Sequence, residues 1–360
     1  MRPRLPRLAV LGAGPAGIEA ALLAAHFGLP FTLYERGGVA HHLQVRGHAR
    51  MLTPWGSSVT PWGLATLRAN QPKLPLPADC EILTGREFRE RYLLPLAEQP
   101  PLRGHLQLQT TVLRVGRGKQ GFRLLLRSSD GCEQVHEADA VLDCTGIFGH
   151  PRYLGEGGIP AIGELGLREQ IAWGLEDLLG ERRPHYQDRH VLLLGAGLTA
   201  ASNAIALAEL AQEHPSTWVT WATRSPATTP LKRQLQDPLR ERDQILARAN
   251  HLATRGEGNI EFRPGRIVEA LESKGKDAGY LVHFRGEKTP LEVDRILANV
   301  GYRADDRLAE ALGQNRTHYY LVGMKALGSA YLPKLLPAML QEAFSQLLGR
   351  KVELPTANKA

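Results

Sequence analysis

The chain has 360 residues, enough for two domains of ordinary size, and its 43% hydrophobic and 22% charged content describes a globular protein and excludes wholesale disorder. No run approaches the roughly 18 apolar residues of a membrane span, so no membrane partner is expected and the expected compartment is the cytoplasm. The net charge is +7, but the arginines are scattered instead of forming one block interleaved with aromatics; the expected ligands are small and anionic, and nucleic acid is not an expected partner.

The first element is Leu8-Ala9-Val10-Leu11, four apolar residues that read as a buried parallel strand. Gly12-Ala13-Gly14-Pro15-Ala16-Gly17 then turns it into a helix over Ile18 to Phe27. In such a Gly-x-Gly-x-x-Gly turn the three glycines do different things. Gly12 allows the turn, Gly14 lets a pyrophosphate approach the backbone, and Gly17 lets helix and strand pack closely. The helix N-terminus offers free N–H groups to phosphate. A second strand, Phe31 to Tyr34, ends on Glu35 at about the spacing of a ribose-binding acid. Together these point to a dinucleotide site; a lone glycine turn would be an ordinary buried strand–helix junction.

Arg36-Gly37-Gly38 follows as a loop able to pass close to a cofactor, and His41 to Gly56 has no helical or strand period, so it reads as a long loop. His41, His42 and His48 with Arg46 and Arg50 either supply acid–base groups beside a cofactor or form a solvated basic loop. Trp55 and Trp62 argue for order there. Gln71 to Pro77 is a connector, and Gly85 to Leu96 a helix. Leu106 to Val112 alternates as a strand, Phe122 to Leu126 and Glu133 to His136 complete a meander, and Ala140 to Asp143 is an apolar strand running into Cys144-Thr145-Gly146. Cys144 reads as a small buried hydrophobe.

Beyond a linker at Gly155 to Pro160 the opening pattern returns. Val191 to Leu194 is a strand, Gly195-Ala196-Gly197-Leu198-Thr199-Ala200 the turn, with alanine at the third small position, and Ser202 to Glu213 the helix. The next strand, Thr217 to Trp221, leads not to an acid but to Arg224. An acid at the strand end would repel a ribose 2′-phosphate and an arginine attracts it, so the first unit should prefer FAD or NAD and the second NADPH; Arg224 as a plain exposed charge is the alternative. Leu231 to Ala253, with Pro238 near its start, is a polar helical stretch. Strands at Ile260 to Phe262, Arg266 to Leu271, Tyr280 to Phe284 and Val293 to Ala298 follow, the last running into Asn299-Val300-Gly301-Tyr302. Tyr319 to Lys325 is a short strand through Val322-Gly323, and Lys334 to Leu348 an amphipathic closing helix. The three cysteines, Cys80, Cys132 and Cys144, form neither a Cys-x-x-Cys nor a zinc-spaced cluster, so no dithiol and no metal is indicated.

This order of motifs resembles the flavoproteins with two dinucleotide-binding domains, the superfamily of thioredoxin reductases and flavin-containing monooxygenases. The resemblance covers nearly the whole chain. It implies an α/β fold of two Rossmann-like domains, each with a β-meander: an FAD domain from residues 1–150 and 300–360, and an NAD(P)H domain, residues 151–299, inserted into it. Carried over, Gly12, Gly14, Pro15, Ala16, Gly17, Glu35 and Arg36 would hold FAD at its pyrophosphate and ribose, with Thr145, Gly146, Gly301, Gly323 and Met324 also on the cofactor side. Gly195, Gly197, Leu198, Thr199 and Ala200 would hold the NADPH pyrophosphate, and Arg224 its 2′-phosphate. Met324 stands where the family often carries an acid, so flavin contact there would rest on backbone groups. Arg50, Thr53, Pro54 and Trp55 are candidates for shaping the flavin pocket.

Within the superfamily, the missing pair of neighbouring cysteines excludes a dithiol mechanism. Leu179 to Tyr186 keeps a glycine, a histidine and a tyrosine of the monooxygenase signature but at other spacings. The group it most resembles is that of bacterial monooxygenase-like and bacillithiol-disulfide-reductase-like flavoproteins. The implied activity is an FAD enzyme reduced by NADPH, oxygenating a small molecule. A reductase of a small disulfide or quinone, and a non-catalytic redox sensor, remain the alternatives. No catalytic acid or base is singled out, and a homodimer is expected only as the commonest assembly of soluble proteins.

Overall fold

The computed structural model describes residues 4–233, 235–237, 239–275, 277–327 and 335–355. Pro238 and Lys334, assigned above to helix starts, lie outside them. The chain divides into two compact units, Met1–His150 with Arg303–Ala360, and Pro151–Tyr302.

The first unit is built on a five-stranded parallel sheet in the order Tyr319–Leu321, Ala140–Asp143, Leu8–Leu11, Phe31–Tyr34, Leu106–Gln107. Its central strand is buried on both faces, which is why it reads as an unbroken apolar run. Leu8 and Val10 face a core shared with the helices Pro15–His26 and Leu336–Leu348. Ala9 and Leu11 face the other way, onto Val115, Phe122 and Leu124 of an antiparallel meander, Thr110–Arg117, Phe122–Ser128 and Glu133–Ala138.

The second unit repeats the plan. Its parallel sheet runs Ile260–Arg263, Trp218–Ala222, His190–Leu194, Arg295–Ala298, Ala172–Trp173, beside a meander of Val268–Ser273, Tyr280–Phe284 and Leu291–Val293. Val191 and Leu193 pack with the helix Leu198–Glu213 and Leu192 and Leu194 with the meander. Both sheets and both meanders match the α/β class expected.

Local readings differ in several places. Tyr319 to Lys325 is a strand only as far as Leu321, because Gly323 (φ +78°) turns the chain and Met324 and Lys325 open a short helix, Met324–Leu327. The alternation over Leu106 to Val112 is two strands in two sheets, because Gln109 takes a left-handed backbone (φ +53°) that ends one and redirects the other. Val293 to Ala298 likewise splits, at Asp294, whose carboxylate accepts the His190 N–H at 2.7 Å. The segment from His41 to Gly56, expected as a loop, contains a short helix, His41–Val45, and the start of another, Trp55–Ser58. The polar helix begins only at Arg240 and runs to Arg255. A helix at Pro61–Asn70 adds to the expected elements, although its signals are plain: Thr60 caps it through the Gly63 N–H at 3.0 Å, and Pro61 fills the first position. Among the described residues no helix is long and apolar enough to cross a membrane, and no cluster of three or more His, Cys, Asp or Glu stands ready for a metal.

Candidate dinucleotide-binding sites

In the first unit the carboxyl ends of the parallel strands open onto a cavity of about 470 Å³, within the range of small-molecule and cofactor sites. Its floor is the glycine turn. Gly12 has φ +93° and a side chain there would meet the Cys144 carbonyl oxygen at 2.9 Å; a β-carbon on Gly17 would fall 1.7 Å from the Gly12 oxygen. Those two glycines are demanded by the backbone itself. Gly14 is different: only the His42 ring comes near it, at 3.6 Å, so the space above it is kept for something other than protein backbone.

Gly12, Gly14, Pro15, Ala16, Glu35, Arg36, Thr145, Gly146 and Met324 all line this cavity. Glu35 grips the turn, accepting the Ala13 N–H through Oε2 and the Gly37 N–H through Oε1, each at 2.9 Å. Gly17 lies beneath the floor, and Gly323 (φ +78°) leads into Met324. Arg50, Thr53 and Trp55 are not brought to the cavity. Trp55 is buried in the core against Phe88 and Tyr92, while Arg50 is exposed and bridges to Thr84. Their expected part in shaping this pocket does not follow from their positions, because the chain leaves the cavity after His42.

His41 and His42 are the members of the basic segment that do line it. The His42 ring stacks on Phe148 (5.7 Å, 25°), with the Arg46 guanidinium over the Phe148 ring at 5.1 Å. Burial, then the charges of Arg46, His41 and Arg36, push the His42 pKa down to about 4, so it is neutral at pH 7. The far wall, Thr110 to Arg114, His150, Asp305 and Arg307, carries no signal that singles it out in sequence. His150 Nε2 lies 3.1 Å from Asp305 Oδ2, and burial outweighs that carboxylate, so the histidine's pKa is lowered from its ordinary value. Asp305 is held down to about 2, first by Arg307.

A second group that sequence reasoning missed closes the opposite wall. Asp143, fully buried, accepts the Thr145 N–H (3.1 Å) and hydroxyl (2.7 Å) on Oδ1 and the Tyr319 hydroxyl and Lys325 ammonium, both at 2.5 Å, on Oδ2. Lys325 also donates to Thr145 Oγ1 at 3.2 Å and lines the cavity. Sequence offers one signal, a lysine next to the position where an acid is usual.

In the second unit the glycine turn follows His190–Leu194. Gly195 (φ +130°) is forced by the Asn299 carbonyl, 2.3 Å from where a β-carbon would lie, whereas nothing stands within 4 Å of such an atom on Gly197. Leu198 and Thr199 are partly exposed at the start of the helix and Ala200 is buried beneath it. Arg224 is exposed two residues past its strand and donates to the Tyr153 carbonyl at 3.0 Å. Gly301 belongs to this unit (φ +83°), where its carbonyl accepts the Arg152 N–H at 3.0 Å, and it is not among the residues lining the cavity of the first. Cys144 is buried and its thiol is pushed well up by burial; Cys80 and Cys132 are exposed.

Both units thus provide a cradle that a side chain at the second glycine would occupy, the feature a dinucleotide pyrophosphate requires. The family model for pyridine nucleotide-disulphide oxidoreductases matches residues 6–324, and that family depends on FAD and NAD(P). No curated protein matches the chain. Among solved structures, bacillithiol disulfide reductase Bdr (YpdA) from Bacillus cereus is similar over 96% of this chain and 100% of its own, with TM-score 0.72 and 16% identity. The FAD-bound cadaverine monooxygenase DfoA of desferrioxamine biosynthesis from Erwinia amylovora is similar over 99% and 97%, with TM-score 0.68 and 14% identity. Ornithine N-hydroxylase KtzI from Kutzneria sp. 744, with reduced FAD, NADP+ and L-ornithine, covers 97% and 100%, with TM-score 0.67 and 16% identity.

Proposed function

The chain belongs to the pyridine nucleotide-disulphide oxidoreductase family, and from that premise we propose that it is an FAD-dependent oxidoreductase reduced by NADPH that oxygenates a small molecule. FAD would lie along the cavity of the first unit, its diphosphate over Gly12 and Gly14 and its adenosine ribose toward Glu35 and Arg36. NADPH would lie on Gly195 and Gly197, with its 2′-phosphate on Arg224. The flavin, when bound, supplies hydride acceptance and oxygen chemistry; the protein's own residues bind, orient and fix charge.

The observation that carries the oxygenase reading is the state of the cysteines. A thiolate, not a thiol, is the nucleophile of disulfide exchange. Cys144 is buried with its pKa raised, and neither exposed cysteine has a neighbour in sequence to close a disulfide with. Electrons reaching the flavin therefore have no neighbouring pair of cysteines to pass to, which leaves oxygen or a small acceptor. Of the structural neighbours, DfoA is a monooxygenase and KtzI an N-hydroxylase, whereas Bdr is a disulfide reductase, so the second reading is reduction of a small disulfide or quinone.

The test is an anaerobic titration of the yellow protein with NADPH and NADH, followed by oxygen electrode measurements. Bleaching by NADPH in preference to NADH, then oxygen uptake that rises with a small amine or thioether and matches the oxygenated product, is the expected result. NADPH oxidation that proceeds without oxygen when a disulfide or quinone is supplied selects the reductase. A flavin that neither nucleotide reduces refutes both and leaves a sensor.

A further inference from the structure

The Lys325–Asp143 pair has no part in the reading above, yet it is a pair of buried charges in the wall of the cofactor cavity. Burying an ammonium and a carboxylate is costly and gains little stability over apolar residues of the same size. The pair's geometry is nevertheless fully built. All four acceptor positions of Asp143 are taken, two by Thr145 and one each by Tyr319 and Lys325. The ammonium has three donors. Two go to Asp143 Oδ2 and Thr145 Oγ1, which leaves one over, and Lys325, its side chain 2% exposed, is among the residues lining the cavity.

Thr145, which accepts from the ammonium, brings its Cα to 3.2 Å from the side-chain position of Gly12, and Lys325, Gly12 and Gly14 line one cavity. The Val322 N–H, bonded to the Asp143 carbonyl at 3.0 Å, ties the segment carrying Lys325 to the same strand end. We propose that Lys325 is a diphosphate-binding residue: its ammonium, oriented by Asp143 and Thr145, donates to a phosphate oxygen of the dinucleotide held by the first unit. Asp143 and Tyr319 act as positioning residues. The neighbouring Met324 has no charge to offer a ribityl or phosphate group, and Lys325 supplies a contact of opposite sign to the missing acid. The proposal rests on the FAD site assigned to the first unit.

The test uses binding, not turnover. FAD, ADP and AMP are titrated by calorimetry into the flavin-free full chain, as wild type, Lys325→Gln and Asp143→Asn/Lys325→Gln, with thermal unfolding of each. The double variant removes both charges, so it leaves no unpaired buried carboxylate and separates phosphate binding from folding. The expected result is that both variants bind FAD and ADP at least about tenfold more weakly than wild type, with AMP changed much less. FAD affinity lost with ADP affinity kept would place the ammonium on the flavin ring and overturn the proposal. Recovery of wild-type ADP affinity in the double variant would reduce Lys325 to a structural counter-ion, also overturning it. A wild type that binds neither FAD nor ADP refutes the site itself, and the proposal with it.

Discussion

Glu19 sits in the helix that follows the first glycine turn, buried, with its carboxylate taking the Thr60 hydroxyl at 2.6 Å and the Tyr92 hydroxyl at 2.5 Å. Burial outweighs those hydrogen bonds and raises its pKa from 4.5 to about 7. The folded state therefore holds this proton more tightly than the unfolded chain. Its contribution is fully present below pH 4.5 and is lost as pH rises to about 7, costing about 3 kcal/mol beyond that point. Glu19→Gln should flatten the fall in denaturant midpoint between pH 5 and pH 8 and be the more stable protein at pH 8; an unchanged slope would show that the carboxylate is not the group responsible. Arg224 is the residue for cofactor choice. Arg224→Ala should raise KM for NADPH about 10- to 100-fold, the worth of a charge-assisted phosphate contact, and leave NADH nearly untouched. Equal losses for both nucleotides would remove it from the 2′-phosphate.

At the scale of elements, the glycine turns separate what folding needs from what a ligand needs. Gly17→Ala drives a β-carbon into the Gly12 carbonyl, whereas Gly197→Ala meets nothing within 4 Å. The first should lower stability by about 3 kcal/mol or more, seen as a fall in Tm. The second should leave Tm within a degree or two while weakening NADPH reduction of the flavin at least about tenfold. A Gly197→Ala protein that is reduced as fast as wild type would mean that no pyrophosphate crosses that turn. These turns, with the strands and helices around them, are legible because their signals are local: an apolar run, three small residues, a helix. The breaks at Gln109 and Asp294 are not, since a single residue of left-handed backbone or one aspartate capping a neighbouring strand leaves the alternation intact in sequence. The cavity's other walls are equally hidden. Lys325 and Asp143 are far apart in the chain and meet only because the strand Tyr319–Leu321, which leads into the short helix carrying Lys325, lies beside Ala140–Asp143 in the parallel sheet, and Trp55, conspicuous as an aromatic in an irregular segment, packs in the core against Phe88 and Tyr92.

For the whole molecule the question is where electrons go in a member of a disulphide oxidoreductase family whose cysteines are not neighbours in sequence. Dithiol chemistry needs two sulfurs that can reach each other and one that ionises near neutral pH. Cys144 fails on ionisation, buried against the turn with its thiol pKa well above the usual range, and Cys80 and Cys132 are exposed. On the reading proposed, none of the three carries electrons, and replacing the exposed two is a surface change of small energetic effect. Cys80→Ser/Cys132→Ser should therefore oxidise NADPH within about twofold of the wild-type rate under air, with the flavin still fully bleached by NADPH without oxygen. It should also take up no more than the flavin's two electrons per chain in an anaerobic titration, as should the wild type. Uptake of four electrons by wild type, falling to two in the variant, would reveal a redox-active disulfide between the exposed cysteines. The protein would then be a dithiol enzyme of its family after all, by a pair that sequence spacing conceals.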